Sequence, residues 1–251
     1  MQISILLVAG IFLISLLLTM VGLGGGLIFS PLFVILGFGK SAAASASLFL
    51  NLVAAGSAAY TYARKKMVDF SLSVPLILSS AVAAPVGSWL NVRISTGVFL
   101  LILAGILALA GVRMLLTPAR HHAGNGLSPG KKILGGLGIG TCIGVLGGLL
   151  GIGGGVFVVP LLIYVLKTPT RIAAASSTFI VCFSSLTGFL GYASMEAINW
   201  GFVLPAAVAS FAGGQAGAHL MSAKIQGKTI RAVFSLVLFA MCARLLYQYF
   251  A

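Results

Sequence analysis

Long apolar runs fill the chain from end to end, interrupted by short clusters of glycine, proline or basic residues. Runs and breakers together predict ten helical segments, near 3–21, 27–38, 42–63, 70–92 and 96–116, then 132–150, 156–166, 173–194, 199–222 and 230–249. Most of them approach or exceed the ~18–20 residues needed to cross a bilayer. The second and seventh do not. With about a dozen residues each, at 1.5 Å per residue, they span roughly 18 Å of a ~30 Å hydrocarbon core. Each short segment follows a glycine cluster, "GLGGG" at 22–26 and "GIGGG" at 151–155, and each carries a proline five residues after the last glycine, Pro31 and Pro160. Glycine inside a helix costs roughly 0.5–1 kcal/mol against alanine, so three in a row predict a break.

Composition turns these runs into membrane segments. Of 251 residues, 60% are apolar and only 7% charged, against about 25% charged in an ordinary soluble domain. The pattern predicts an all-α, multi-pass membrane protein with little room for a soluble domain. The first run lacks the basic start and small-residue cleavage site of a secretory signal, and reads as a retained membrane segment. A net charge of +13 invites a nucleic-acid reading, but the basic residues stand singly or in short clusters between apolar runs. That is the positive-inside pattern, and no nucleic-acid partner is expected. Cys142, Cys182 and Cys242 are isolated in apolar stretches without metal-site or disulfide spacing.

The glycine clusters begin a longer self-similarity. Pro31 matches Pro160, "AAASAS" from Ala42 matches "AAASST" from Ala173, "DFSLSVP" from Asp69 matches "NWGFVLP" from Asn199, Gly87 matches Gly217, and Arg113 matches Arg244. A steady offset close to 130 residues predicts two repeats, 1–116 and 132–251, joined by the polar linker 117–131 ("TPARHHAGNGLSPGK"). Two-fold internal repeats are a hallmark of transporter folds. Treating each glycine cluster as a hairpin turn makes the repeats inverted. Lys40, Arg93 and Arg244 then lie on one side and the other 12 of the 15 Lys and Arg on the opposite one. The parallel alternative divides them almost evenly. Positive-inside bias selects the inverted arrangement, with the linker cytoplasmic and both termini outside. Each repeat thus holds a glycine-broken short-helix hairpin and three spanning helices.

Broken helices at membrane depth survive only where protein buries them or water lines them. In inverted-repeat transporters their N-terminal N–H groups face the substrate, and the positive dipole end favours an anion. The candidate site therefore comprises Gly24, Gly25 and Gly26 with Gly153, Gly154 and Gly155. The helix after each short segment adds Ser45, Ser47 and Asn51 in the first repeat and Ser176, Ser177 and Thr178 in the second, with Cys182 as the repeat partner of Asn51. Hydroxyls and an amide suit an oxyanion without fixing a charge in the membrane; equally, Ser and Thr here can bond their own helix backbone. The only carboxylates, Asp69 and Glu196, fall at connections, which disfavours a cation carrier or a carboxylate proton relay. Lys40 and Arg171 open corresponding helices, either to draw an anion to each mouth or as interfacial anchors. His219 at a segment end reads as structural. Gly136, Gly140, Gly144 and Gly148 form a small-residue face for close helix contact, within the chain or in a homodimer. No cofactor or metal is expected.

The duplicated GxGGG–P element, each time followed by an "AAAS" helix, resembles the TauE/SafE family of sulfite and sulfonate exporters, over essentially the whole chain. The resemblance implies a multi-pass permease of the inner cell membrane that moves small sulfur oxyanions or organosulfonates, usually outward; the mechanism expected from the two glycine breaks is alternating access about them. The residues alone leave a channel-like pore, or an importer of another small anion, as alternatives.

Overall fold

The computed structural model describes residues 5–116, 129–164, 168–195, 200–222 and 228–250, all of them helical or in short connections. Ten helices follow in order: α1 (Ile5–Val21), α2 (Gly26–Ile35), α3 (Lys40–Arg64), α4 (Phe70–Arg93), α5 (Thr96–Leu116), α6 (Pro129–Leu150), α7 (Gly155–Tyr164), α8 (Thr170–Ala193), α9 (Trp200–Ser222) and α10 (Lys228–Phe250). Each predicted segment is one helix, displaced by no more than a few residues. The predicted linker 117–131 lies mostly outside the described residues, and α6 already begins at Pro129. The helices covering 40–64, 70–93 and 171–193 are each long and apolar enough to cross a membrane. α2 and α7 have 10 residues apiece.

The two repeats are interleaved. α1 packs on α9 while α6 packs on α4, and α3 meets α9 while α8 meets α4, so each contact has a partner with the repeats exchanged. At the centre, α3 and α8 run past each other in opposite directions. Leu48 faces Gly188, Asn51 bonds Ser185 and Gly56 faces Cys182. The ends agree with this: the Asp69 N–H, just beyond α3, donates to Ser176 Oγ near the start of α8 (2.9 Å).

Small residues make the close crossings possible. Gly140, Gly144 and Gly148 of α6 lie directly against the backbone of α4 at Leu76, Ser80 and Ala84, and Gly87 of α4 lies against Val145 and Leu149. The glycine face read from the sequence is thus filled within the chain. Gly213 and Gly217 of α9 do the same against Phe12 and Leu16 of α1. In a bilayer, where burying apolar surface gives no drive between helices, such backbone approach supplies the packing energy.

Lys40 and Arg171 have matching roles at opposite ends. Lys40 Nζ donates to the carbonyls of Asn91 and Ile94 at the end of α4. The Arg171 guanidinium donates to those of Met221 and Ser222 at the end of α9 (3.0 and 2.8 Å). Each cation satisfies carbonyls that the helix itself leaves open and sits at the negative end of its dipole. Each of the two thus ties the start of one helix to the end of another.

Asp69, the one carboxylate among the described residues, caps α4: its Oδ1 accepts from the N–H groups of Ser71 and Leu72 and from the Ser71 hydroxyl. Replacing it, Asp69→Ala, is expected to cost about 1 kcal/mol of stability, read as a lower melting temperature in detergent. An unchanged melting temperature would show that the cap contributes nothing.

Candidate functional site

The two glycine knots meet back to back. A Cβ added at Gly26 would stand 2.8 Å from the Ile152 carbonyl group, and one at Gly155 would collide with the Leu23 carbonyl. Each knot is also pressed onto the opposite repeat's AAAS helix: Gly22 on Ala174 and Gly151 on Ala44. Left-handed backbone makes the turns, at Gly22 and Gly24 in the first knot (φ 84° and 68°) and at Gly151, Gly153 and Gly154 in the second (φ 71°, 68° and 81°). Only glycine adopts such angles without strain.

Asn51 sits where the knots meet. It is wholly buried, and it is the twelfth of the 25 residues of α3, so about 16 Å of helix lies on its N-terminal side. Its Oδ1 accepts from the N–H groups of Gly25 (2.5 Å) and Gly26 (3.0 Å), and its Nδ2 donates to Ser185 Oγ (2.8 Å). Two N–H donors at one end fix which end of the amide is oxygen. The side chain therefore caps α2 while touching the second knot, where a Cβ on Gly153 would collide with the amide nitrogen and Ser185 Oγ.

Among the described residues no side-chain amide performs this service for α7. The register of the contacts is 130 residues: Ala44 pairs with Ala174, Ser47 with Ser177 and Tyr62 with Tyr192. On that register the counterpart of Asn51 is Val181, not Cys182. A Val181 γ-methyl lies 3.2 Å from the Cβ positions of both Gly24 and Gly153, the same two glycines that Asn51 touches. Matching one AAAS string to the other suggested an offset of 131, because a run of alanine and serine carries no unique register.

The remaining candidates divide. Ser47 Oγ donates to the Gly151 carbonyl (2.6 Å) and Ser177 Oγ to that of Gly22 (2.7 Å), an exchanged pair that pins each knot to the other repeat. Ser176 instead accepts from Asp69, and Thr178 donates to Ala174 of its own helix (3.0 Å). Ser45 Oγ is buried with no hydrogen-bond partner among the described residues. So Gly24, Gly25, Gly26, Gly153, Gly154, Gly155, Asn51, Ser47 and Ser177 come together, while Ser176 and Thr178 bond elsewhere.

Four further hydroxyls complete the layer and were not singled out from sequence. Ser30 Oγ donates to the Leu150 carbonyl (2.5 Å) and Ser184 Oγ to that of Gly153 (2.8 Å). Tyr62 donates to Thr19 (3.0 Å) and Tyr192 to Gly148 (3.0 Å), each closing the helix that leads into a knot. Tyr62 and Tyr192 keep the repeat offset of 130 and were detectable on that basis. Ser30 and Ser184 satisfy carbonyls that the helix breaks leave open, as buried backbone requires, whereas the Thr19 and Gly148 carbonyls also accept from the N–H groups of Gly22 (3.1 Å) and Gly151 (3.3 Å).

Two short helices starting back to back, halfway along a pair of long antiparallel apolar helices, define a class of all-α membrane protein built around broken helices. The sequence profile of the family described as sulfite exporter TauE/SafE matches residues 7–245, and the chain belongs to that family of membrane transporters. It is similar to the probable membrane transporter protein YunE of Bacillus subtilis, 26% identical over 92% of this chain and 92% of that one. A probable membrane transporter protein from Xylella fastidiosa (strain Temecula1) is 27% identical over 95% of this chain and 93% of its own length. No solved structure gives a significant match.

Proposed function

We propose that this protein carries small sulfur-containing anions, such as sulfite or an organosulfonate, outward across the inner cell membrane by alternating access about the paired glycine knots. One observation carries the reading: two helix N-termini meet at the midpoint of α3 and α8, their turns made of glycine and their surroundings made of amide and hydroxyl groups. The positive ends of two helix dipoles favour an anion; at α2 the Asn51 amide oxygen holds the Gly25 and Gly26 N–H groups in the present structure. The family's description as sulfite exporters supports sulfur oxyanions as the class.

Antiparallel packing of α3 on α8, and contacts that recur with the repeats exchanged, support inverted repeats 1–116 and 132–251. The 12-to-3 division of basic residues supports a cytoplasmic linker at 117–131. Inversion gives the carrier two equivalent halves with which to open the same central layer to either side. Outward movement of an anion draws on the inside-negative potential, worth about 2.3 kcal/mol per charge per 100 mV.

The test is thermal shift of the detergent-purified protein against sulfite, sulfate, thiosulfate, sulfoacetate, taurine, acetate and chloride, followed by flux into proteoliposomes. Selective stabilisation by a sulfur anion, with saturable counterflow of the same compound, is expected. Stabilisation and counterflow by chloride or acetate alone would move the substrate outside the sulfur anions. Flux without counterflow would make the protein a pore.

A further inference from the structure

We propose that the end of the molecule where α3 stops binds an anionic phospholipid, with the headgroup on a cluster of cations and an acyl chain on the aromatic rings beside it. The site is independent of which anion the protein carries.

Among the described residues, four helices close with the same turn. After α1, α2 and α6 the left-handed position is taken by glycine: Gly22, Gly37 and Gly151, at φ 84°, 90° and 71°. In each, the glycine N–H returns three residues and the next N–H returns five, as in Gly37 to Val34 and Phe38 to Phe33 (both 3.0 Å). α3 closes in the same way, Lys66 to Ala63 and Met67 to Tyr62 (both 3.0 Å), but here the left-handed residue is a lysine, at φ 54°. Glycine is favoured at that position and a side chain strains it. A helix dipole favours a cation at its C-terminus, yet α1, α2, α6 and α8 carry no basic residue in their last turns. The turn itself therefore does not call for Lys66.

Lys66 belongs to a cluster. Arg64 and Lys65 precede it, and all three are exposed. Lys65 Nζ donates to Ser222 Oγ at the end of α9 (2.5 Å), where the Arg171 guanidinium from the start of α8 also bonds, to the Met221 and Ser222 carbonyls. Three helix ends thus gather four cations. An ammonium has three N–H donors and a guanidinium five, so Lys65 and Arg171 keep donors for a ligand. The nearest carboxylate in sequence, Asp69, is taken up by the N–H groups that open α4.

The surface that continues from this cluster is apolar. Phe179 meets Phe70 and Phe183 edge to face, with centroids 5.4 and 5.3 Å apart, and Phe70 is 50% and Phe183 38% exposed. Phe179 and Phe183 stand eight and twelve residues beyond Arg171, about 12 and 18 Å along α8. Cations at the helix ends with rings running inward from them fit an amphiphile; a small hydrophilic anion has no use for the rings. Basic clusters beside membrane helices attract anionic headgroups, each cation strengthening attachment about fivefold.

The experiment is thermal melting of the full chain in neutral detergent with rising phosphatidylglycerol, against phosphatidylcholine of the same chains and against water-soluble glycerol 3-phosphate. Three proteins are compared: wild type, a double variant with Lys65→Gln and Lys66→Gly, and Arg93→Gln, which removes an exposed cation at the opposite end of the molecule. Phosphatidylglycerol is expected to raise the wild-type melting temperature by several degrees, and the other two additives to leave it unchanged. Without lipid the double variant should melt no lower than wild type, because glycine relieves the turn. It should nevertheless need about thirtyfold more phosphatidylglycerol for the same rise, while Arg93→Gln responds as wild type. Equal responses to the two lipids, or an unchanged response in the double variant, would overturn the site. Stabilisation by glycerol 3-phosphate as strong as by phosphatidylglycerol would make the cluster a water-facing anion funnel and overturn the lipid assignment.

Discussion

Gly26→Ala and Gly155→Ala are expected to lose nearly all transport, although each adds a single methyl group. The atoms that a new Cβ would strike are backbone, the Ile152 carbonyl group in one case and the Leu23 carbonyl in the other. Side chains can turn away from an intruding methyl; a backbone fixed by its own knot cannot. The knots must separate, at a cost of about 1–3 kcal/mol for overpacking. That separation also stretches the Asn51 bonds to Gly25 and Gly26. The measurement is flux of a sulfur anion together with the melting temperature, set against Gly105→Ala. Gly105 lies inside α5 with nothing within 4 Å of an added Cβ, and helix propensity makes alanine there neutral to favourable by roughly 0.5–1 kcal/mol. Equal activity in Gly26→Ala, Gly155→Ala and Gly105→Ala would show that the two knots do not need their contact.

The second large effect is expected at Asn51, and two substitutions separate its structural part from its electrostatic part. Asn51→Val makes the place symmetric with Val181 but leaves the Gly25 and Gly26 N–H groups buried without their acceptor. Each orphaned donor costs about 1–3 kcal/mol, so a marked fall in melting temperature is the expected result. Asn51→Asp retains an oxygen for both donors, and Ser185 can turn its hydroxyl to donate. That variant should fold. It nevertheless puts a negative charge between the two helix N-termini, and anion transport should drop by at least about tenfold through repulsion. If Asn51→Asp transports like the wild type while Asn51→Val does not, Asn51 is a strut and the anion passes elsewhere.

Helix positions were legible because apolar runs and glycine or proline breakers are local signals, and all ten predicted segments appear within a few residues of their limits. So were the two glycine knots, which the structure brings into contact, since a pattern retained twice at a spacing near 130 is hard to miss. The register inside the AAAS helices was not. Alanine and serine differ by one oxygen, and shifting such a run by a residue hardly changes its appearance; only packing on Gly22 and Gly151 decides it. The direction of each hydroxyl was equally hidden. Ser47 and Thr178 occupy similar surroundings in sequence, yet one reaches a carbonyl 104 residues away and the other a carbonyl of its own helix. Nor could sequence reveal that Asn51 caps α2, because the donors lie 25 and 26 residues earlier in the chain, across a hairpin.

The meeting of Asn51 and Val181 over the same two glycines has a bearing on why the halves are joined. A residue beside a two-fold axis in a pair of identical chains always meets its own copy. Two asparagines there would compete for one space and one hydroxyl; two valines would leave both helix starts bare. Covalent fusion lifts that self-compatibility condition. It lets one half provide the polar contact while the other provides the space for it, a division of labour that separate identical halves could not achieve.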